Sequence, residues 1–173
     1  MEIEIRAKID KSLLEKLKPD PAYIFSGQET QKDTYFKHSS DAERRLVLRI
    51  REEQGGATLT FKAKAVGQDT AWPDVDLPLS KPKDLENILR SSGYVEVVTI
   101  QKTRWSFRHS ELEVNIDEIK DLGWFVEIEG RGTEQKRQDI EKQIEALLKD
   151  LGISEKDVVR EGYVPLMLRR QSN

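Results

Sequence analysis

The opening run Glu2-Ile-Glu4-Ile-Arg6-Ala-Lys8 alternates charged and apolar residues and carries both signs of charge. Side chains at positions i, i+2 and i+4 of a strand point the same way, so the four charges share one face. Carboxylate oxygens bind hard divalent cations, and Lys and Arg bind phosphate oxygens. A strand of this kind can therefore contribute to a metal site and to an anion site.

Like charges two residues apart recur in other alternating segments. Such charges repel unless a neighbouring strand or a ligand compensates them. A solvent-exposed face explains any one segment, but the repetition favours a bound polyphosphate with Mg²⁺ or Mn²⁺, which supplies both missing signs. The pairs are Arg49 and Arg51, Lys62 and Lys64, Asp74 and Asp76, Lys102 and Arg104, and Glu127 and Glu129; a further alternating run, acidic except for Asn115, is Glu111, Glu113, Asn115 and Asp117.

The alternating segments predict eight strands, and short connections such as Gly55-Gly56 make consecutive strands antiparallel. If the sheet closes, the charged face lines the interior and amphipathic helices cover the apolar face. We therefore expect an α+β, mainly β fold: one domain over residues 1–173, a closed eight-stranded antiparallel barrel with flanking helices. The predicted strands span 2–9, 31–37, 45–51, 58–65, 72–77, 99–107, 111–117 and 124–129.

Helical periodicity interrupts this pattern in three places. Ser12-Leu-Leu-Glu15 fits a capping box that opens a short helix. Residues 80–92 and 134–151 form the next two helices, which Gly93 and Gly152 end. A last short helix is predicted to begin at Ser154, and the apolar run 162–168 is expected to pack back on the body.

Composition excludes several classes of function. The formal net charge of −3 gives no global basic field, so we expect no binding of duplex nucleic acid. The absence of cysteine excludes thiolate chemistry, and two histidines, His38 and His109, make a multi-histidine zinc site improbable. The start is charged and no apolar run approaches the about 18 residues of a membrane span, so we expect no membrane association and a cytoplasmic protein.

Glu2-x-Glu4-x-Arg6 resembles the ExExK signature that opens the CYTH family, the triphosphate tunnel metalloenzymes. That family includes class IV adenylyl cyclases, thiamine triphosphatases and inorganic triphosphatases. Further motifs follow in the family's order as far as about residue 130, and the run Asp33-Thr-Tyr35-Phe36 is most similar to the class IV cyclase and archaeal-type branch. These motifs are Gln31–Phe36, Leu48–Arg51, Thr60–Lys64, Lys102–Arg104 and Asp117–Glu129.

The resemblance implies an eight-stranded tunnel that holds a triphosphate and Mg²⁺ or Mn²⁺. It implies metal ligands among the acidic residues, namely Glu2, Glu4, Asp117, Glu127 and Glu129. It implies a triphosphate clamp of basic residues, namely Arg6, Lys8, Arg49, Arg51, Lys62, Lys64, Lys102 and Arg104. The residues expected to act most directly in catalysis are Glu2, Glu4, Lys64 and Glu129.

The chain departs from the family pattern at two positions. Arg6 stands where the signature has lysine, which keeps the charge but changes its shape. In the run Trp72-Pro-Asp74-Val-Asp76, the pattern leads us to expect an arginine followed by a Glu-x-Glu pair. The role of this segment in nucleotide-specific or second-metal contacts therefore stays open.

Three functions are consistent with the pattern. The first is a metal-dependent hydrolase of an inorganic or organic triphosphate, such as tripolyphosphate, ATP or thiamine triphosphate. The second is a class IV-type cyclase that converts ATP to cyclic AMP and pyrophosphate, which needs an adenine pocket; Tyr35, Phe36 and Trp72 either line that pocket or pack in the core. The third is a non-catalytic binder of polyphosphate or nucleotide. Monomer and homodimer both stay open.

Overall fold

The computed structural model describes residues 2–43, 46–63 and 74–172 of the chain. These residues form a nine-stranded antiparallel sheet in the order β5-β4-β3-β2-β6-β7-β8-β1-β9. The strands are β1 (Glu2–Ile9), β2 (Ile24–His38), β3 (Leu46–Glu53), β4 (Gly56–Ala63), β5 (Asp74–Leu79), β6 (Tyr94–His109), β7 (Leu112–Ile119), β8 (Gly123–Arg131) and β9 (Val158–Val159).

Four α-helices accompany the sheet within these described ranges. They are α1 (Ser12–Leu17), α2 (Pro82–Ser91), α3 (Arg137–Asp150) and α4 (Tyr163–Gln171), with one-turn 3₁₀ helices at Glu134–Lys136 and Glu155–Asp157. Across the described residues, none of the helices has the length and apolar character that crossing a membrane requires.

The chain divides into two compact units, which are described separately below. Unit 1 comprises residues 1–29 and 102–173, and unit 2 comprises residues 30–101. The boundary falls within β2 and within β6. Unit 1 therefore holds β1, β7, β8 and β9, while unit 2 holds β3, β4 and β5.

In unit 1, the apolar face of the strands packs against helices α1 and α3. Strands β1, β7 and β8 contribute alternate buried residues, and α1 and α3 contribute their apolar sides. Helix α3 approaches β8 closely at Gly130, where a Cβ atom would lie 2.3 Å from Cγ2 of Ile140. Because these alternate residues are apolar, their neighbours Glu4, Arg6 and Glu127 occupy the opposite face.

Unit 2 has its own small core on one face of β2 and β3. Phe36, Leu48 and Ile50 are buried there against Leu89 of α2. The alternate residues Asp33, Arg49 and Arg51 occupy the other face, so this part of the sheet also has one ionic side.

The predicted mainly β fold, with an antiparallel sheet and flanking helices, is confirmed. The eight predicted strands are present, β1 with its predicted bounds and the others with shifted ends. The predicted strand positions 45, 64–65 and 72–73 lie outside the described residues. The two-residue β9 adds a ninth strand, which is too short for alternation to reveal. Pairing does not close the ladder in the described part of the chain, because β5 and β9 lie at its two ends. The predicted closure is thus not formed by hydrogen bonds between these strands.

One prediction at a helix start was wrong, and another was confirmed as a single turn. The capping box at Ser12 is absent: the residue before α1 is Lys11, and Asp10 Oδ1 accepts a hydrogen bond from the Ser12 amide instead. The helix predicted from Ser154 is a single 3₁₀ turn, whose capping box joins Ser154 and Asp157. The run expected only to pack on the body begins α4 at Tyr163.

Candidate metal and anion site

Strand register arranges the ionic face of unit 1 in rows. Directly opposed residues on antiparallel strands share a face, so each row joins neighbours from successive strands. Read toward β1, the rows are Glu113, Glu129 and Glu4; Ser106, Asn115, Glu127 and Arg6; and Arg104, Asp117, Phe125 and Lys8. Carboxylates dominate the first row, and the next two mix both signs.

Three glutamates converge at one end of this face. One carboxylate oxygen from each of Glu2, Glu4 and Glu129 lies within 4.8 Å of the other two. Glu4 and Glu129 are directly opposed in register, an arrangement in which like charges destabilise a sheet. The crowding of negative charge marks this group as a candidate cation site.

The surroundings shift the pKa values of these glutamates in different directions. Burial, a hydrogen bond with Glu127 and the charge of Glu127 raise the pKa of Glu129 to about 8. Burial and the charge of Glu127 also raise the pKa of Glu4. Burial by itself would raise the pKa of Glu127, but Arg104 and Arg6 lower it to about 2. Glu127 is thus neutralised by arginines, whereas Glu4 and Glu129 suffer repulsion from its charge.

Asp117 and Arg104 form the centre of a buried ionic cluster. Arg104 donates from Nε and Nη2 to the two oxygens of Asp117, both at 2.7 Å, and from Nη2 to Glu127 at 2.8 Å. Lys102 donates to Asp117 at 3.3 Å, and Asp117 is fully buried. Charge-assisted bidentate pairs of this kind are strong and fix both partners.

The side-chain amide of Asn115 connects the carboxylates of Glu113 and Glu129. Its Nδ2 donates to Glu113 at 3.2 Å and to Glu129 at 3.3 Å, and its Oδ1 accepts from the Ser106 hydroxyl at 2.7 Å. Asn115 is fully buried. The amide therefore holds Glu129 in position beside Glu4.

Tyr163, at the start of α4, reaches the same cluster. Its hydroxyl donates to Asp117 Oδ2 at 3.1 Å, and the guanidinium carbon of Arg6 lies 4.4 Å from the centre of its ring. Burial and the charges of Asp117 and Glu127 raise the pKa of the Tyr163 hydroxyl, so it remains a donor. Sequence reasoning did not find Tyr163, because no spacing rule connects it to strands β1 and β7.

A pocket of about 300 Å³ opens beside these residues in unit 1. Glu4 and Arg6 form part of its wall, together with Leu148 of α3 and Val159 of β9. Charges of both signs, from Glu4 and Arg6, therefore line part of the pocket.

Unit 2 carries a second group of paired charges. Arg51 donates from Nε and Nη2 to the two oxygens of Asp33, both at 2.7 Å. Arg49 donates to the Thr60 hydroxyl at 2.8 Å, and the Arg49 Nε is buried without a hydrogen-bond partner. Burial and the charge of Asp33 raise the pKa of Tyr35 to about 12. The unsatisfied donor of Arg49 is suited to an anion.

The structure brings some of the predicted site residues together and separates others. Glu2, Glu4 and Glu129 form the acidic group, whereas Glu127 and Asp117 are occupied by arginine and lysine. The basic residues fall into two sets by unit, and Lys64 and Trp72 lie outside the described residues. The unit 1 set is Arg6, Lys8, Lys102 and Arg104; the unit 2 set is Arg49, Arg51 and Lys62.

The aromatic residues considered for a base pocket differ in their surroundings. Phe36 is fully buried in the unit 2 core, which makes it a packing residue. Tyr35 faces the other way, beside Arg49 and Asp33. Asp76 accepts a hydrogen bond from Thr60 and lies 3.9 Å from Arg49, so it balances that arginine.

Comparison with known proteins gives matches of three kinds, namely a family model, a related protein and solved structures. The family model described as CYTH domain matches residues 1–163. A Methanocaldococcus jannaschii protein named "Putative adenylate cyclase" is 28% identical over 173 residues, covering 96% of this chain and 98% of its own.

Two solved structures have a fold similar to that of this chain. A conserved hypothetical protein from Pyrococcus furiosus has 25% identity and a TM-score of 0.80, with 96% of this chain and 99% of that chain covered. A Hippeastrum protein described as having a dominant triphosphatase activity has 19% identity and a TM-score of 0.67, with 93% and 90% covered.

Proposed function

The chain belongs to the CYTH domain family, and on that premise we propose that it hydrolyses an inorganic or organic triphosphate with the help of Mg²⁺ or Mn²⁺. The observation that carries the proposal is the group Glu2, Glu4 and Glu129, whose oxygens lie within 4.8 Å of one another beside a layer of arginine and lysine. A bound cation and a bound polyanion would each meet the opposite charge there.

The donor set fits a hard divalent cation. All three donors are carboxylate oxygens, which Mg²⁺ and Mn²⁺ prefer, and no thiolate or imidazole competes among the three. The three oxygens lie within 4.8 Å of one another, so a cation placed among them would meet all three carboxylates. When bound, the metal would withdraw charge from phosphate oxygens and acidify a nearby water.

The protein's own residues would act by position and charge. Phosphoryl transfer requires little covalent chemistry from the enzyme, so the absence of cysteine is no obstacle. Lys8 is exposed on the ionic face of unit 1, and we assign it to phosphate binding. Within unit 2, we assign the same role to Arg49, Arg51 and Lys62. Water attacks the terminal phosphorus as the bond to the bridging oxygen breaks. The products are orthophosphate and the shortened phosphate chain, which take up the charge that these cations neutralise.

Adenylyl cyclisation is the second candidate function. The relative from Methanocaldococcus jannaschii is named for that activity, and its match covers 96% of this chain. In this reaction the 3′-hydroxyl of ATP attacks the α-phosphorus, and pyrophosphate leaves. It needs an adenine pocket, and the burial of Phe36 in the core removes one of the aromatic residues considered for it.

One incubation series separates these functions. The protein is mixed with tripolyphosphate, ATP or thiamine triphosphate and with Mg²⁺ or Mn²⁺, and orthophosphate, pyrophosphate and cyclic AMP are measured. Orthophosphate without cyclic AMP supports the hydrolase. Pyrophosphate matched by cyclic AMP supports the cyclase, and binding without any product leaves a non-catalytic binder.

Matched variants connect the activity to the site. Glu4→Gln and Glu129→Gln should each abolish metal-dependent turnover, because an amide is a poorer metal ligand than a carboxylate. Glu118→Gln, an exposed residue on β7, is the control and should keep the full rate. Wild-type rates in both of these glutamate variants would contradict the assignment of Glu2, Glu4 and Glu129 as metal ligands.

A further inference from the structure

Arg6 differs from Lys8, the other cation of β1, in how completely its nitrogens are occupied. Nε donates to Glu127 Oε2 at 2.8 Å, and Nη2 donates to the same oxygen and to Glu4 Oε1. Nη1 donates to the backbone oxygen of Glu161 at 3.2 Å. Four hydrogen bonds thus use four of the five N–H groups of a guanidinium. Arg6 has little left to offer a phosphate without breaking these bonds.

Tyr163, at the start of α4, supports the guanidinium group of Arg6. The ring of Tyr163 lies beneath it, with the guanidinium carbon 4.4 Å from the ring centre. Tyr163 is held in turn by the hydrogen bond from its hydroxyl to Asp117. Its ring also packs edge-to-face against Phe125, with the two ring centres 5.3 Å apart. A planar guanidinium can stack on the ring and bridge two carboxylates at once, whereas a lysine ammonium at the same position cannot.

Lys8 provides the contrast. It follows Arg6 by two residues on the same face of β1. Its side chain is exposed, and no hydrogen bond or ion pair is present for it in the described part of the chain. One strand therefore carries one cation with a full set of partners and one cation available to an anion.

We propose that Arg6 is a positioning residue that orients Glu4 at the metal site and is itself held by Glu127, Tyr163 and the Glu161 carbonyl, and that it is not a phosphate ligand. The inference rests on the proposed function, since it assumes that Glu2, Glu4 and Glu129 bind the metal ion. It corrects the role that the family signature implies for this position, where arginine replaces lysine. The proposal also means that α4 contributes to the metal site, because its residue Tyr163 supports Arg6.

The role follows from the register. Glu4 and Glu129 are opposed across β1 and β8, and Arg6 and Glu127 form the adjoining pair. The Arg6 Nη2 group contacts one carboxylate of each pair, so it keeps the Glu4 oxygen from turning away from Glu129. Residues that orient metal ligands typically change metal affinity by about 10–100-fold when they are replaced.

The test compares Arg6→Lys with Lys8→Gln. Binding of Mn²⁺ alone is measured from the free Mn²⁺ resonance signal without substrate, and the KM for tripolyphosphate is then measured at saturating Mn²⁺. We expect Arg6→Lys to weaken Mn²⁺ binding by about tenfold or more and to change KM by less than about twofold. Lys8→Gln should raise KM and should not weaken Mn²⁺ binding.

Tyr163 supplies a second pair of variants in case Arg6→Lys folds poorly. Tyr163→Leu removes the ring beneath Arg6 and should weaken Mn²⁺ binding, whereas Tyr163→Phe keeps the ring and should retain most of it. Unchanged Mn²⁺ binding in Arg6→Lys and Tyr163→Leu, with a raised KM, would overturn the inference while the proposed function stands. Failure of the wild-type protein to bind Mn²⁺ would overturn the proposed function, and the inference with it.

Discussion

Arg6 donates from both Nε and Nη2 to a single oxygen of Glu127, Oε2, so the two side chains form one fixed unit across β1 and β8. Arg104 takes the other oxygen at 2.8 Å. Glu127 is only 4% exposed, so its charge is balanced almost entirely by protein.

Glu127→Gln should destabilise the fold by ~3–5 kcal/mol, because removing one partner leaves buried cations without compensation. The free energy of unfolding in urea measures the effect. Glu113→Gln is the matched control: it is exposed, lies on the same face and should change stability by less than about 1 kcal/mol. Equal stability of the two variants would show that Glu127 carries no such role.

Stability without metal should fall as the pH rises from 4.5, the ordinary pKa of glutamate, toward about 8, the pKa of Glu129 in the folded protein. Over this range the folded protein keeps a proton that the unfolded chain releases, so ionisation favours unfolding. Glu129→Gln cannot ionise and should flatten this part of the profile. Urea unfolding in a chelating buffer at about pH 5 and about pH 8.5 provides the measurement.

Glu127 should act in a different pH window. Its pKa in the folded protein is lowered to about 2, so its stabilising contribution is present above pH 4.5 and is lost as the pH falls toward 2. An acid unfolding profile that is identical in wild-type protein and Glu127→Gln would contradict this assignment.

Lys62→Gln should raise the KM for tripolyphosphate by about tenfold, which corresponds to the ~1.5 kcal/mol of a hydrogen bond to a charged group. The effect should shrink as ionic strength rises, because salt screens half-exposed charges. Lys32→Gln is the control in the same unit, since Lys32 pairs with Glu52 at 3.0 Å and lies next to Asp33 on the opposite face. A larger KM change in Lys32→Gln would argue against the assigned face.

Gly130→Ala should destabilise unit 1 by ~1–3 kcal/mol, as overpacking does, because the new methyl would lie 2.3 Å from Cγ2 of Ile140. Ile140→Leu removes that methyl and keeps the volume, so the double variant should recover part of the loss. Thermal unfolding of the two single variants and the double variant gives the coupling. Simple additivity would show that α3 gives way without strain.

The sequence predicts much of this sheet because alternation is a local signal. Residues Glu2 to Ile9 alternate without interruption, and the observed β1 has those bounds. The same signal cannot reveal β9, which has two residues. It also placed the ends of β2 and β6 too far inward, because Ile24 and Tyr94 lie outside the strictly alternating core of each strand.

The site is predictable in composition and less so in pairing. Charged faces identify Glu4, Arg6 and Glu129 as functional candidates, since period two fixes the face. Which charges meet depends on register, and register places Glu127 beside arginine and Glu129 beside Glu4. Tyr163 arrives from a separate helix by tertiary packing, which no local pattern encodes.

The order of synthesis sets a limit on when this face can form. Arg6 and Glu127 are 121 residues apart in the chain, so at about 5–20 residues per second a ribosome adds the second about 6–24 s after the first. The α4 segment that contacts Arg6 comes later still. Pairing at such sequence separation is slow to nucleate. Glu2 and Glu4 are likewise made long before Glu129, so their carboxylates stay apart from the third until the strand that carries it has been synthesised.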